Sequence, residues 1–593
     1  MSIFRKFPSA LRFSTSRNNN VPHYHHNRNS SSNFTNSTKF EHYLNLRRSQ
    51  AEKSILIQIN GLSACPQVRD HLSSKYGPLL SVYHYSIPSK GKSGPPACPI
   101  APTGGEFHWL LAEFERKEDF AKAITSCGNV EGTVPYTSPM TWFKNSTASQ
   151  KDDRKSTIGT KGKKKTTSEV SRDMDGIESE KLIACTSLDF GTGNNLNQQL
   201  GILEKSLRLS DLGIRLRFLI AHQLEFTLQS LFPQGCVLPF GSTVSGIGRQ
   251  SGDLDLVLLP DKNEIFSSSQ GDEAKETENK LMLQSKMHTS GNSSNARFQV
   301  QRVMETIADI IQLCTPGCTH VQRILQARIP ILRFWSDYTE LQCDLSMTNA
   351  SGVHMSELIY IMTKLDSRFS TLLFAIRSWA SARKITNPVP GRQPTNFMFV
   401  LLLMYFLQHK SILPTLDILF NNPDASDLRI TTDGIDCTFL RRTDKISKHF
   451  SPQCQTESVA ELLFQFFEFY SEFDFNTKGV SLLTGSAWGK PDAGPLYIQN
   501  PLERHLNVAR NVSKEEVTRF KSKAKEFLYT GKGLSLPSQY LKSLSECCSA
   551  LWKLETASSD KHQVSLKDLL LTPVYDSRRP EENRIKIKEL FSE

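Results

Sequence analysis

Short runs of apolar residues alternate with polar residues in the middle of the chain, and apolar residues recur at helical spacing further on. The most informative run is Leu254–Leu259, which is apolar except for one acid and predicts a buried strand. Asp253 and Asp255 flank its first residue. Because side chains two residues apart on a strand point the same way, both carboxylates should lie on one face.

A second pair of apolar runs lies downstream of this strand. Residues 329–334 and 341–346 both predict short strands, and the later one carries Asp344. A strand that pairs beside the first one would bring Asp344 alongside Asp253 and Asp255. We therefore expect three carboxylates close together on one sheet.

The pattern changes from strand to helix after residue 350. Residues 356–384 carry apolar residues at helical spacing and predict a helical stretch. Thr395 or Asn396 then caps a strongly apolar helix that runs through Leu407 and is too short to span a membrane. We expect a sheet domain over residues 200–350 and a helical domain over residues 351–530.

Residues 52–145 show a different order of elements. Strand, helix, strand, strand and helix are predicted at 54–59, 66–76, 80–85, 108–114 and 117–124. This order resembles a ferredoxin-like RNA-recognition module, whose central strands stack aromatic residues on bases. Trp109 and Phe114 are the candidates for stacking, but the usual basic-Gly-aromatic signature is missing. The alternative is a packing or dimerisation domain.

Polar stretches flank and separate these domains. Residues 1–40 contain no Asp or Glu among many Ser, Asn and basic residues, which predicts a mitochondrial transit peptide or, alternatively, a disordered basic terminus. Residues 146–180, with a lysine cluster at 161–165, predict a flexible linker. Residues 262–296 predict a polar surface insert, and residues 556–593 form a charged tail.

Composition agrees with a multi-domain protein that binds a polyanion. A chain of 593 residues with 38% hydrophobic content exceeds what one core normally organises. The formal net charge of +11 favours RNA as a partner, although a basic leader and lysine-rich linkers inflate this value. The 12 cysteines form no CxxC pair, so neither a structural zinc site nor a disulfide framework is expected.

The candidate chemistry lies around the three acids. Gly241 and Ser242 precede them and predict a turn that lets backbone amides approach a phosphate chain. Carboxylates hold Mg²⁺ beside a triphosphate, and three of them support a two-metal in-line displacement. Asp253, Asp255 and Asp344 are therefore the predicted metal ligands and catalytic residues, and Asp344 is the candidate acceptor for the proton of an attacking hydroxyl.

The Gly-Ser turn, the spaced Asp-x-Asp and the later single Asp resemble the pattern of the DNA polymerase beta-like nucleotidyltransferases. Residues 200–527 also resemble the noncanonical poly(A) and poly(U) polymerases, and among them the mitochondrial branch. The segments that carry this likeness are 235–237, 239–242, 356–360, 365–368, 413–416 and 495–501. The resemblance implies an α+β fold, in which a nucleotidyltransferase sheet domain precedes a helical poly(A)-polymerase-associated domain.

The resemblance also implies nucleotide contacts beyond Gly241 and Ser242. Ser356 falls where the family has a ribose-contacting polar residue, and Arg377 where it has a basic residue near the phosphates. Asn396 and Phe397 replace a Ser-Tyr pair, so Phe397 is expected to stack on the base without offering a phenolic hydroxyl. Ordinary helix packing is the alternative for Phe397.

The family's Asp-Pro-Phe-Glu motif stands here as Asn500-Pro-Leu-Glu503, and both Asn500 and Glu503 are expected at the nucleotide. Uridylyl-adding relatives carry a uracil-reading histidine six residues after the start of this motif, where this chain has Leu506. Leucine offers a base edge no hydrogen bond, so the resemblance favours ATP over UTP, unless the adjacent His505 approaches the site.

The sequence therefore predicts a template-independent RNA adenylyltransferase that uses ATP as substrate with Mg²⁺ or Mn²⁺. The alternatives are a terminal uridylyltransferase on the same fold and a catalytically silent RNA-binding scaffold. RNA 3′ ends are the expected partner, and a homodimer through the N-terminal module is a further expectation. The expected location is the mitochondrial matrix, with no membrane span.

Overall fold

The computed structural model describes residues 38–88, 105–126, 141–143, 178–181, 196–262, 265, 293–387, 391–453 and 456–532. Nearly all of the predicted transit peptide, linker and polar insert lies outside the described residues, as does the whole charged tail. Among the helices that are described, none has the length and apolar character needed to cross a membrane.

Helix α1 (Lys39–Glu52) begins inside the range predicted as a transit peptide. The Thr38 hydroxyl accepts from the Glu41 amide at 3.1 Å and the Glu41 carboxylate accepts from the Thr38 amide at 3.1 Å, which forms a capping box. Phe40 and Leu44 are buried in a cluster with the sheet domain. The start of α1 therefore belongs to the folded chain and overlaps residues 38–40 of the predicted transit segment.

The N-terminal sheet has the strand order β4-β1-β3-β2-β5. Its elements are β1 (Ser54–Ile59), α2 (Cys65–Lys75), β2 (Leu79–Pro88), β3 (Glu106–Phe114), α3 (Lys117–Thr125), β4 (Thr141–Phe143) and β5 (Glu178–Lys181). In a ferredoxin-like sheet β4 would run parallel to β3 in direction, and therefore antiparallel to β1. Here β4 pairs parallel with β1, so the ferredoxin-like module is not confirmed. β5 begins inside the predicted linker, so residues 178–180 of that segment form a strand.

The two candidate stacking residues of this module are buried. Trp109 and Phe114 are both 0% exposed, and the ring centroids of Trp109 and Tyr338 of the sheet domain lie 5.1 Å apart. The Tyr85 hydroxyl also donates to the Tyr338 carbonyl at 2.8 Å. Because Trp109 and Tyr85 pack the module onto the sheet domain, and Phe114 is buried in the module's own core, these rings are not available to stack on bases.

The second sheet has the strand order β6-β7-β10-β9-β8. Its strands are β6 (Cys236–Pro239), β7 (Leu254–Leu259), β8 (Cys318–Ile324), β9 (Ile331–Ser336) and β10 (Leu341–Met347), and its accompanying helices are α4 (Leu196–Leu207), α5 (Asp211–Leu228) and α6 (Ser293–Cys314). β7 and β10 pair parallel, and the other neighbours pair antiparallel. Residues such as Ile220 of α5 and Ile311 of α6 cover one face with apolar side chains. The opposite face carries the acids.

The helical domain completes the described chain. Its elements are α7 (Ala350–Leu365), α8 (Arg368–Ala382), α9 (Asn396–His409), α10 (Leu416–Asn421), α11 (Thr443–His449), α12 (Val459–Glu472), the ladder of β11 (Lys478–Val480) with β12 (Ala487–Gly489), and α13 (Lys514–Lys532). Its core includes the fully buried Trp379, Phe467 and Phe399.

The stretch predicted as helical from 356 to 384 is broken. Asp366 has an extended backbone, and its carboxylate accepts from the Arg368 amide at 2.8 Å. Because this side chain satisfies a backbone donor locally, it ends α7 and lets α8 turn back on it. Helix α9 is capped as predicted by Thr395, whose hydroxyl accepts from the Met398 amide at 3.2 Å.

Candidate active site

A single turn of 3₁₀ helix, Gly241–Thr243, connects β6 to the segment that leads into β7. Gly241 has φ +65°, which lies in the left-handed region that favours glycine. A Cβ added there would lie 2.8 Å from Oδ2 of Asp255, closer than such atoms approach. Glycine therefore allows the turn both its backbone conformation and its contact with the acid.

The structure brings the three predicted acids together. Asp253 directly precedes β7, Asp255 lies within it, and Asp344 of β10 pairs with Asp255 across the parallel ladder. One carboxylate oxygen of each residue lies within 4.8 Å of the others. Strand alternation aligns the first two acids, and strand pairing supplies the third.

The acids repel one another. Burial, followed by the charges of Asp253 and Asp344, raises the pKa of Asp255 to about 7. Burial and then the Asp344 charge also raise the pKa of Asp253. Hard carboxylate oxygens at this spacing suit Mg²⁺ or Mn²⁺, and a divalent cation would offset the repulsion that the two raised pKa values reflect. The residues present therefore fit a divalent metal.

Arg333 of β9 holds the third acid. Its Nε donates to Oδ1 of Asp344 at 2.8 Å and its Nη2 donates to Oδ2 at 2.7 Å, a bidentate pair across the antiparallel ladder. Arg333 was not among the residues predicted from the sequence. Its place on the strand just before Asp344 was the signal that could have found it.

Arg217 of α5 fixes the loop that leads into Asp253. The Arg217 side chain is buried, and its Nη2 donates to the carbonyls of Gln250 at 3.2 Å and Gly252 at 2.7 Å. Burial lowers the pKa of Arg217 to about 10. Since one guanidinium joins the helix to this loop, Arg217 positions Asp253.

A cavity of about 570 Å³ opens beside the acids, and it falls within the usual size range of small-molecule sites. Residues of both the sheet domain and the helical domain line it. The predicted residues on its wall are Gly241, Ser242, Asp253, Asp255, Ser356, Arg377, Asn396, Phe397, Asn500 and Glu503. We call this space the nucleotide cavity.

Two predicted nucleotide contacts also have packing roles. Ser356 is 1% exposed; its hydroxyl accepts from the Gly241 amide at 2.7 Å and donates to the Gly352 carbonyl at 2.7 Å. Ser356 therefore holds the Gly241 turn in place. Phe397 packs against the helical core and also lines the nucleotide cavity, so helix packing and base stacking are compatible there.

Two arginines line the nucleotide cavity behind the acids. Arg377 was predicted; Arg249 was missed, although it lies in the spacer between Ser242 and Asp253. Burial, and then the Arg249 charge, lowers the pKa of Arg377 to about 9, and burial lowers the pKa of Arg249 to about 10. Among the described residues, Nε of each has no hydrogen-bond partner. Two adjacent cations, one buried and one partly buried, suit a polyphosphate.

The Asn500 motif keeps its shape despite the departure from Asp. The Asn500 side-chain oxygen accepts from the amides of Leu502 and Glu503 at 3.0 Å each, as a carboxylate would. The Glu503 carboxylate pairs with Arg328 from the loop between β8 and β9. Leu506, predicted as the base-selecting residue, does not line the nucleotide cavity. The Leu506 carbonyl accepts from the Asn500 amide at 3.0 Å and closes the turn, and its role in base selection stays a prediction.

The chain matches two family models, "Poly(A) RNA polymerase, mitochondrial-like, central palm domain" at residues 196–364 and "Cid1 family poly A polymerase" at residues 458–507. The mitochondrial poly(A) RNA polymerase of Drosophila melanogaster is 35% identical over 493 residues, which cover 81% of this chain and 74% of the fly protein. The chain belongs to the mitochondrial poly(A) RNA polymerase family. It is a polynucleotide adenylyltransferase, and its family places it in the mitochondrion.

Other comparisons agree with this family. The mitochondrial poly(A) RNA polymerase of Homo sapiens is 35% identical over 334 residues, which cover 56% of this chain and 55% of the human protein. A crystal structure of mtPAP in complex with CTP is 26% identical with a TM-score of 0.67, and the match covers 90% of this chain and 99% of that one. A structure of mtPAP with ATPγS is 27% identical with a TM-score of 0.63, covering 87% and 99% of the two chains. The α+β nucleotidyltransferase fold is thereby confirmed.

Proposed function

We propose that this enzyme adds AMP from ATP to the 3′ ends of mitochondrial RNAs without a template, in the mitochondrial matrix. The observation that carries the proposal is the cluster of three carboxylates beside a cavity that a glycine turn and two arginines line. Carboxylates for cations and arginines for phosphates are the groups that nucleotidyl transfer needs.

The residues take distinct roles in this proposal. The backbone of Gly241 and Ser242 approaches the triphosphate of ATP, and Arg249 and Arg377 neutralise part of its charge. Phe397 stacks on the base, while Asn396, Asn500 and Glu503 contact the nucleoside. Ser356 acts through the turn that it holds.

Asp253, Asp255 and Asp344 would hold Mg²⁺ or Mn²⁺, which when bound activates the 3′ hydroxyl and steadies the leaving pyrophosphate. Asp344 accepts the proton of the 3′ hydroxyl. The bond formed joins the RNA 3′ oxygen to the α-phosphorus, and the bond broken joins that phosphorus to the pyrophosphate oxygen.

We also propose that the enzyme forms a homodimer through the N-terminal module. β4 and β5 are the outermost strands of its sheet in the described part of the chain, and outer strands are templates for pairing with another chain. Size-exclusion chromatography with light scattering tests this proposal, and a mass of one chain at micromolar concentration would overturn it.

Full-length protein incubated with labelled RNA, Mg²⁺ and each nucleotide separately tests the proposed reaction. We expect extension with ATP that is lost on chelation and in the Asp255→Ala and Asp344→Ala variants. Asp309→Ala is the matched control, because Asp309 is an exposed acid of α6 that pairs with Arg323. Its activity should equal that of the wild type.

The other outcomes point elsewhere. Extension mainly with UTP would make the enzyme a uridylyltransferase on the same residues. RNA binding without extension by any nucleotide would favour the scaffold alternative. Full activity in Asp344→Ala would remove Asp344 from the catalytic set.

A further inference from the structure

The face of the sheet that carries the acids continues beyond them to β8. Asp255, Asp344, Arg333 and Gln322 lie directly opposite one another in successive strand pairings, so they form one row across β7, β10, β9 and β8. Residues opposite one another in a ladder point to the same face. Gln342 and Trp335 form the next row on this face, because each lies two residues from a member of the first row.

This face is open along its length. A second cavity of about 910 Å³ shares Arg249, Asp253 and Arg377 with the nucleotide cavity and extends to Trp335 and Gln342. A third, of about 330 Å³, continues over Trp335 to Gln322 and His320 of β8. We call these two spaces together the β8–β10 groove. It runs from the acids to the outer strand of the sheet.

The chemistry of the groove suits a single-stranded nucleic acid. Its inner part is lined by the four arginines Arg217, Arg249, Arg333 and Arg377 against the two acids Asp253 and Glu340. Trp335 is partly exposed on its floor, between hydrogen-bonding side chains of Gln342 and His320. An aromatic ring among cations and amides is the surface on which single-stranded bases stack while phosphates are neutralised.

The dimensions of the groove also suit a strand end. Strands lie about 4.8 Å apart, so β8 is roughly 10 Å from β10, which is the depth of about three bases stacked at 3.4 Å. The groove meets the nucleotide cavity at Asp253, where the two substrates of a transferase must approach each other. Continuity with the acids therefore argues for RNA as the occupant over a peptide.

We propose that the β8–β10 groove holds the last nucleotides of the RNA, with Trp335 stacked on a base and Arg333 exchanging Asp344 for a backbone phosphate. This inference rests on the proposed function, because it assigns the second substrate of that reaction. It gives Arg333 a second partner and leaves Asp344 available at the reacting 3′ hydroxyl.

RNA affinity of the full-length protein tests the inference. Fluorescence anisotropy with labelled oligo(A) in Mg²⁺ and without ATP gives the Kd for RNA, and extension assays give the KM for ATP. Trp335→Ala should raise the Kd for RNA roughly tenfold or more, and Trp335→Phe should restore most of the affinity. The KM for ATP should stay within about twofold, because Trp335 does not line the nucleotide cavity. Thermal melting checks that each variant is folded.

The matched control is Trp488→Ala. Trp488 is 38% exposed on β12, packs against Tyr497 and lines none of the three cavities. It should leave RNA affinity unchanged. A second variant, Gln322→Arg, adds a cation to the exposed end of the groove without removing a contact. It should tighten RNA binding and steepen its salt dependence by about one unit of slope.

The outcomes separate this inference from the proposed function. Unchanged RNA affinity in both Trp335→Ala and Gln322→Arg, with ATP-dependent extension intact, would overturn the groove and leave the adenylyltransferase standing. The expected affinity changes in a wild-type protein that extends no RNA would support the groove and overturn the proposed reaction. An equal loss of affinity in Trp488→Ala would also overturn the groove.

Discussion

At Gly241, both the backbone conformation and the contact with the catalytic Asp255 depend on the absence of a side chain. Gly241→Ala forces a side chain into the left-handed region and places its Cβ against Asp255 Oδ2. We expect the rate of RNA extension at saturating ATP to fall about a hundredfold, because small displacements of reacting groups cost that much. Gly434→Ala is the matched control, since Gly434 has φ +79° in open space. Equal rates in the two variants would show that the approach to Asp255 is unimportant.

Arg249 is predicted to bind the phosphates of ATP. Arg249→Gln removes one of two adjacent cations from the nucleotide cavity while keeping a donor for Ser378, which Arg249 contacts at 2.8 Å. We expect the KM for ATP to rise roughly tenfold or more, since a charge-assisted hydrogen bond is lost. Steady-state kinetics measure it, with Arg442→Gln as a control at an exposed arginine paired to Asp444. A KM for ATP equal to that of the control would contradict this role.

The site residues that were predicted from the sequence are identified by a local pattern, whereas those that were missed are identified by tertiary contacts. Asp253 and Asp255 were predictable because strand alternation alone aligns them. Arg217 and Arg249 were missed because their partners are loop carbonyls and a helix hydroxyl, which only the folded chain brings close. Leu506 lies outside the lining of the nucleotide cavity, since a motif count fixes a position in the chain and not the direction of its side chain.

Elements were predicted where one physical pattern dominates. β7 and β3 follow apolar runs, and the cap of α9 follows a threonine before an apolar segment. Helix α5 was not predicted from the sequence, because its opposite sides are both buried. Leu212 and Leu219 pack in the cluster with the N-terminal module, whereas Ala221 and Leu228 on the other side pack on the sheet. A helix buried on two sides lacks the single apolar stripe that periodicity detects.

A buried ionic network joins α1, α7 and the segment before α11. Glu357 of α7 accepts from the Thr38 hydroxyl at 3.0 Å and from Nε of Arg441 at 2.9 Å, and both charged side chains are almost fully buried. Burial alone would raise the pKa of Glu357, but the Arg441 charge and the neighbouring His354 outweigh it and lower this pKa to about 2. The folded state is therefore stabilised by the charged, deprotonated form of Glu357.

Glu357→Gln should lower the free energy of unfolding by about 3 kcal/mol or more, because it leaves the Arg441 charge buried without its partner. The folded-state pKa lies below the ordinary value of 4.5, so the stability that the carboxylate contributes is complete above pH 4.5 and is lost as the pH falls towards 2. Urea unfolding at several pH values measures the free energy of unfolding of both proteins. The difference between Glu357→Gln and the wild type should become smaller as the pH falls from 4.5 towards 2. Asp444→Asn, at an exposed carboxylate, should show no such difference.

At the scale of the whole molecule, the site lies between two domains that the chain ties together. The sheet domain supplies the acids and the glycine turn, the helical domain supplies Arg377, Phe397 and the Asn500 motif, and the Arg328–Glu503 pair links the two across the cavity. The sequence predicted both domains from their change of pattern. It did not predict how they meet, since ion pairs between distant segments leave no periodic signal.

The N-terminal module should contribute stability and not RNA affinity. Trp109→Ala removes a fully buried ring from the contact with Tyr338, so the free energy of unfolding should fall by about 3 kcal/mol or more, as for other buried aromatic residues. At a temperature where the variant remains folded, its Kd for oligo(A) should stay within about twofold of the wild-type value, because the ring faces the sheet domain and not solvent. Trp335→Ala should show the reverse pattern, with weakened RNA binding and a smaller change in stability. If instead Trp109→Ala weakens RNA binding as much as Trp335→Ala does, bases reach the module's sheet, and the packing interpretation is wrong.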